Sequence, residues 1–133
     1  MSCSCSSSPC SHSNPTSVNL DTSAQVNICC RRGDTFTLIS NISDSNGTAI
    51  DLTAFTFKME VREYDDGPIV IANSNITITG TALGVLTIEI SATNMLVDSG
   101  TDVWEIQATN ISSGRVESWM YGLFQITQDI VAN

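Results

Sequence analysis

Residues 55–62 read Phe-Thr-Phe-Lys-Met-Glu-Val-Arg, alternating apolar and polar side chains without a break. A period of two sends successive side chains to opposite faces of an extended strand, and it gives an α-helix no apolar stripe to bury. The same alternation recurs. Phe36, Leu38 and Ile42 alternate with Thr35, Thr37 and Asn41; Ile76 and Ile78 with Thr77 and Thr79; Leu86, Ile88 and Ile90 with Thr87, Glu89 and Ser91. Val18, Leu20, Val26 and Ile28 suggest a first, interrupted strand, and Ile69–Ala72 a short one. Val103–Ala108 predicts a strand with Trp104, Ile106 and Ala108 on one face. Val116–Thr127 predicts a long last strand, and its change of phase near Gly122 predicts a bulge there. Turn signals separate these runs: Asp44-Ser45-Asn46-Gly47, Asp65-Asp66-Gly67-Pro68, and Asn110 to Gly114. Ala92, Met95 and Leu96, followed by Gly100, read as a single helical turn that crosses between sheets. Seven to eight strands with turns about every 8–12 residues predict an all-β, antiparallel β-sandwich.

Composition narrows the function classes. The chain has 133 residues, of which 14% are charged, with a net charge of −9. So acidic a chain repels phosphate backbones and anionic lipid surfaces, so neither nucleic acid nor membrane is expected as a partner. No apolar run approaches the roughly 18 residues that cross a bilayer. The N-terminus lacks the basic and apolar regions of a signal peptide.

Cys3, Cys5, Cys10, Cys29 and Cys30 all lie in the first 30 residues, and the rest of the chain has no cysteine. The sandwich must therefore stand on packing alone. Residues 1–30 read as a Cys/Ser-rich N-terminal arm and 31–133 as the β-sandwich domain. Five is odd, so at least one thiol stays free or pairs with another chain. Three readings of the cluster stay open. One is a disulfide set tying the arm to the domain and to other chains. Another is a zinc site of Cys3, Cys5, Cys10 and His12, against which the tight Cys-Ser-Cys spacing speaks. The third is a tail with incidental thiols.

Little else points to chemistry. His12 is the one histidine, and a Ser/Pro-rich arm is a poor mount for a catalytic base. No catalytic set, resident metal or cofactor is expected, and the chain does not read as an enzyme. Arg32-Gly33-Asp34 reads as a turn before a strand rather than as an adhesion motif. Glu63, Asp65 and Asp66 carry oxygen ligands suited to calcium, but suit a solvated hairpin tip equally. Asn41, Asn46, Asn75 and Asn110 each open an Asn-x-Ser/Thr sequence, read here as polar turn chemistry. Trp104 and Trp119 are candidate ligand-stacking rings, with filling of the inter-sheet space as the competing role.

Arg32-Gly33-Asp34-Thr35-Phe36, the Asp-x-Asn-Gly-Thr turn at 44–48, and Ile50-Asp51-Leu52-Thr53 leading into Phe55–Arg62 together carry a resemblance. So do Gly84–Ile90, Asp102–Gln107 and Trp119–Val131. This order of motifs resembles the small immunoglobulin-like proteins encoded among tail, baseplate and fibre genes of tailed bacteriophages, which are similar to the N-terminal β-sandwich of baseplate upper proteins. The resemblance spans about residues 31–131; the Cys/Ser arm departs from it. It implies an immunoglobulin-like fold and a structural, non-catalytic role in the virion. The expected partners are other virion proteins (tail fibre, baseplate or capsid subunits) in a homo- or hetero-oligomer. The arm cysteines are expected to form inter-chain disulfides at a tail or baseplate–fibre joint. A capsid decoration or head-fibre protein is one alternative, and a receptor- or carbohydrate-binding module another.

Overall fold

The computed structural model describes residues 23–128, together with the backbone of residues 16–19. Its strands are β1 (Thr16–Asn19), β2 (Ala24–Gln25), β3 (Ile28–Arg31), β4 (Phe36–Ser43), β5 (Phe55–Arg62), β6 (Ile69–Ile71), β7 (Thr77–Gly80), β8 (Val85–Ile90), β9 (Gly100–Asn110) and β10 (Val116–Thr127). One sheet has the order β1-β4-β8-β7. The other has the order β2-β10-β9-β5-β6, with β3 also paired to β10. Lettering β4 to β10 as B, C, C′, D, E, F and G makes these the two sheets of an immunoglobulin-like sandwich, as the alternation predicts.

The buried positions follow the period of two. Phe36, Leu38, Ser40 and Ile42 of β4 face Met59 and Val61 of β5, Trp104 and Ile106 of β9, and Met120 and Phe124 of β10 across one continuous core. Phe36 meets Phe124 edge-on, with ring centroids 5.5 Å apart, so aromatic packing joins the two sheets. Between β4 and β5, Asp51 starts a 3-10 turn at Leu52–Ala54 by accepting from the Thr53 hydroxyl and amide. Those two bonds, the hydroxyl's first, hold the Asp51 carboxyl below its ordinary pKa. The stretch after β8 is one turn, closed by Met95 N–H donating to the Ser91 carbonyl at 3.0 Å, and it crosses from one sheet to the other as expected.

Three features differ from the sequence reading. The seven strands from β4 to β10 pair antiparallel, but β1 joins β4, and β2 and β3 join β10, in parallel. The chain therefore enters the sandwich alongside its own last strand. Next, the expected division at residue 31 falls within β3: Ile28 and Cys30 belong to the core, and Arg32 N–H donates to Thr127 at 2.9 Å. Finally, the register shift of β10 lies between Ser118 and Met120 and not at Gly122. The shift lets two consecutive residues, Trp119 and Met120, both turn inward. Gly122 serves a different need. A Cβ there would stand 2.3 Å from the Val26 carbonyl oxygen, so only a glycine admits the close pass of the chain between β2 and β3.

Candidate functional site

The outer face of the larger sheet carries a shallow basin of about 830 Å³. Its side chains are the outward half of the same alternation that fills the core. On β5, Met59 and Val61 point inward, so Lys58, Glu60 and Arg62 point out. On β9, the buried Trp104 and Ile106 leave Val103, Glu105 and Gln107 outside. Tyr121 and Leu123 of β10 complete the floor, each a little under half exposed, and Gln25 of β2 stands at the edge.

The polar groups of this face hold one another in place. Arg62 sends Nε and Nη2 to Glu60 Oε1, at 3.1 and 2.8 Å, and Nη1 to the Gly67 carbonyl at 2.7 Å. Lys58 Nζ lies 3.9 Å from the other oxygen of Glu60. Ser118 Oγ and Gln107 Nε2 both donate to Glu105 Oε2. Glu60 and Glu105 are directly opposite in the β5–β9 ladder, a like-charge pairing that costs stability unless each carboxylate is served separately. Here each one is.

The residues singled out from the sequence go elsewhere. Trp104 and Trp119 are each 2% exposed, so neither ring offers a face to a ligand. Trp104 lies inward beside Gly122, and its Nε1 donates to the Val26 carbonyl at 2.8 Å, tying the β2–β3 segment to β9. Trp119 packs edge-on against Phe55 and Phe57, at 4.9 and 5.5 Å. Its indole N–H is buried with no partner. Both rings fill the inter-sheet space, which corrects the ligand-stacking expectation: the inward parity of β9 and the β10 bulge bury them.

Cys29 and Cys30 are also buried. Cys30 faces the core, with Sγ 3.6 Å from the Gln125 carbonyl. Cys29, one residue away, points to the opposite face of the sheet. A thiol buried on a strand paired along its length meets a second chain only after β3 leaves β10, so the expectation of inter-chain bridges at Cys29 and Cys30 does not fit the folded domain. Cys3, Cys5, Cys10 and His12 lie outside the described residues.

Arg32-Gly33-Asp34 is the turn between β3 and β4, with Gly33 at φ +82°. Among the described residues no three His, Cys, Asp or Glu side chains gather as a metal site, and Glu63, Asp65 and Asp66 are no exception. No helix among them is long and apolar enough to cross a membrane. The sequence reading missed Asp102. It sits at a buried position of β9, only 8% exposed. Burial first, then the negative charges of Glu63 and Asp98, push its carboxyl above the ordinary range. Its inward parity with Trp104 was the available signal.

No family model and no curated protein matches the chain. Among solved structures it is similar to the cysteine protease inhibitor EhICP2 from Entamoeba histolytica, at 12% identity and a TM-score of 0.41. That likeness covers 84% of this chain and 94% of the inhibitor. The fold described here rests on the strand pairing itself.

Proposed function

We propose that the chain is a structural, non-catalytic virion protein of a tailed phage: an assembly module at a tail or baseplate–fibre joint, linked to neighbouring chains through Cys3, Cys5 and Cys10. The motif order across about residues 31–131 supports the phage reading. The observation that carries the mechanical role is the way the N-terminal segment enters the fold. Before reaching β4, it pairs with β4 through β1 and with β10 through β2 and β3. Tension applied at the arm is thus borne by backbone hydrogen bonds to both sheets and not by a loop. Cys29 and Cys30, buried in that anchor, serve its packing. A disulfide further out makes separation of subunits require reduction of a bond, where a non-covalent contact escapes thermally.

The test is non-reducing electrophoresis of purified particles, followed by identification of the chain in each band. The expected result is bands heavier than the 14.2 kDa monomer that collapse on reduction and vanish when Cys3, Cys5 and Cys10 are replaced by serine. A chain absent from the particles, or running as a monomer without reductant, overturns the proposal.

A further inference from the structure

We infer that β7 pairs with the β7 of a second copy of this chain, antiparallel about a two-fold axis, so that the two smaller sheets run on as one. β7 closes its sheet, with β8 on one side and no described strand on the other. The ladder shows which backbone groups are left over. Thr81 N–H donates to the Val85 carbonyl at 3.0 Å, and Ile42 N–H donates to the Gly84 carbonyl at 2.7 Å. Hydrogen-bonded pairs alternate along an antiparallel ladder. Val85, Thr87 and Glu89 therefore turn their backbone groups to β7, while Leu86 and Ile88 turn theirs to β4. On β7, Thr77 and Thr79 bond to β8, and Ile78 and Gly80 point their N–H and C=O groups away from it. Such a row of unpaired groups is a template for another strand.

Sheet edges are ordinarily blunted by shortness, proline or charge. Here β6, the edge strand of the larger sheet, is three residues long and follows Pro68, and β3 runs into Arg31 and Arg32. β7 has no such device. From Gly67 to Ile88 no residue is charged, in a chain of net charge −9. Two copies that meet along this stretch keep their carboxylates away from the contact, which no charged side of the molecule allows. Self-complementarity selects a second copy as the occupant. A two-fold axis at Ile78 sets Ile78 opposite Ile78, each donating to and accepting from the other. Thr77 then stands opposite Thr79 of the other copy, twice, on the outer face where both are exposed. Facing threonines are a favourable cross-strand pair. Gly80 N–H meets the Ile76 carbonyl, and the pairing stops there because Ile76 N–H is already taken by Asn73 at 3.1 Å. So short an interface belongs to the weak, exchanging class. It uses no cysteine, so it stands independently of the proposed disulfide joint.

The experiment is sedimentation and amide NMR of the full chain under reductant, over a range of concentration reaching about 1 mM, where weak pairs become populated. A monomer–dimer equilibrium is expected. The Ile78 amide is expected to shift and gain protection from exchange as concentration rises, and the dimer to strengthen with salt as the net repulsion is screened. Thr77→Lys/Thr79→Lys puts like charges directly opposite, twice, and is expected to weaken pairing by about tenfold. Its melting temperature in dilute solution is expected to hold, since both threonines are exposed. Mixing it with Thr79→Glu is expected to restore pairing, because an introduced glutamate then faces an introduced lysine. Ile111→Lys/Val116→Lys, equal in charge but on exposed positions of the other sheet's hairpin, is expected to weaken nothing. A monomer at about 1 mM overturns the inference. So does a dimer indifferent to Thr77→Lys/Thr79→Lys, a dimer that salt weakens, or an Ile78 amide already protected in the dilute monomer, which would mean that another segment of the same chain covers β7.

Discussion

At the scale of single residues, the two tryptophans are chemically alike and energetically different. The indole N–H of Trp104 is satisfied by Val26, whereas that of Trp119 is not satisfied at all. Replacing Trp104 by Phe strands a carbonyl beneath the β2–β3 segment and is expected to cost about 1–3 kcal/mol beyond the change in size. Trp119→Phe removes a buried donor that has no partner, and urea unfolding is expected to show the smaller loss; the reverse order contradicts these assignments. Gly122→Ala drives a Cβ into the Val26 oxygen, and about 1–3 kcal/mol of destabilisation is expected from the forced shift. Asp102 gives a prediction in pH. Its carboxyl titrates higher in the fold than in the unfolded chain, so the fold favours the protonated form. The charged form weakens the protein above the folded-state pKa, and that penalty fades as pH falls toward the unfolded value of 3.8. Asp102→Asn is therefore expected to raise the melting temperature at neutral pH, with the gain disappearing in acid.

At the scale of elements, the N-terminal segment matters most. Composition shifts sharply after the Ser-rich stretch, and on that ground residue 31 looks like the start of the domain. Yet β3 contributes Ile28 and Cys30 to the core and covers the edge of β10. A four-residue strand leaves too short a periodic signal to be separated from the polar stretch around it. A chain beginning at residue 23 is expected to fold. One beginning at residue 31 is expected to unfold at distinctly lower urea and to self-associate through the bared edge. In the chain beginning at residue 23, Cys29 and Cys30 are expected to resist a thiol reagent until denaturant is added; rapid labelling of the native protein would show that β3 is not docked.

At the scale of the whole molecule, a net charge of −9 on a small sandwich is self-repelling. Raising salt from about 10 to about 150 mM shortens the screening length from roughly 30 to roughly 8 Å. Thermal unfolding at neutral pH is expected to move upward over that range; a fall would mean that attractive ion pairs dominate. The same excess of acid is seen in the basin, where Lys58 and Arg62 stand against the carboxylates of Glu60, Asp65, Asp66 and Glu105.

The alternation of side chains determined, without any structure, that the chain is a two-sheet β-sandwich, and it marked seven of its strands, because a period of two is a local property that burial on one face amplifies. It also placed the outward residues Lys58, Glu60, Arg62, Glu105 and Gln107, though not as a group. Their meeting in one basin depends on β5, β9 and β10 becoming neighbours, and no single strand contains that information. The parallel docking of β2 and β3, the pass of Val26 over Gly122, and the burial of Cys29, Trp104 and Trp119 were likewise decided by tertiary contacts between residues up to about a hundred positions apart, where local pattern is silent.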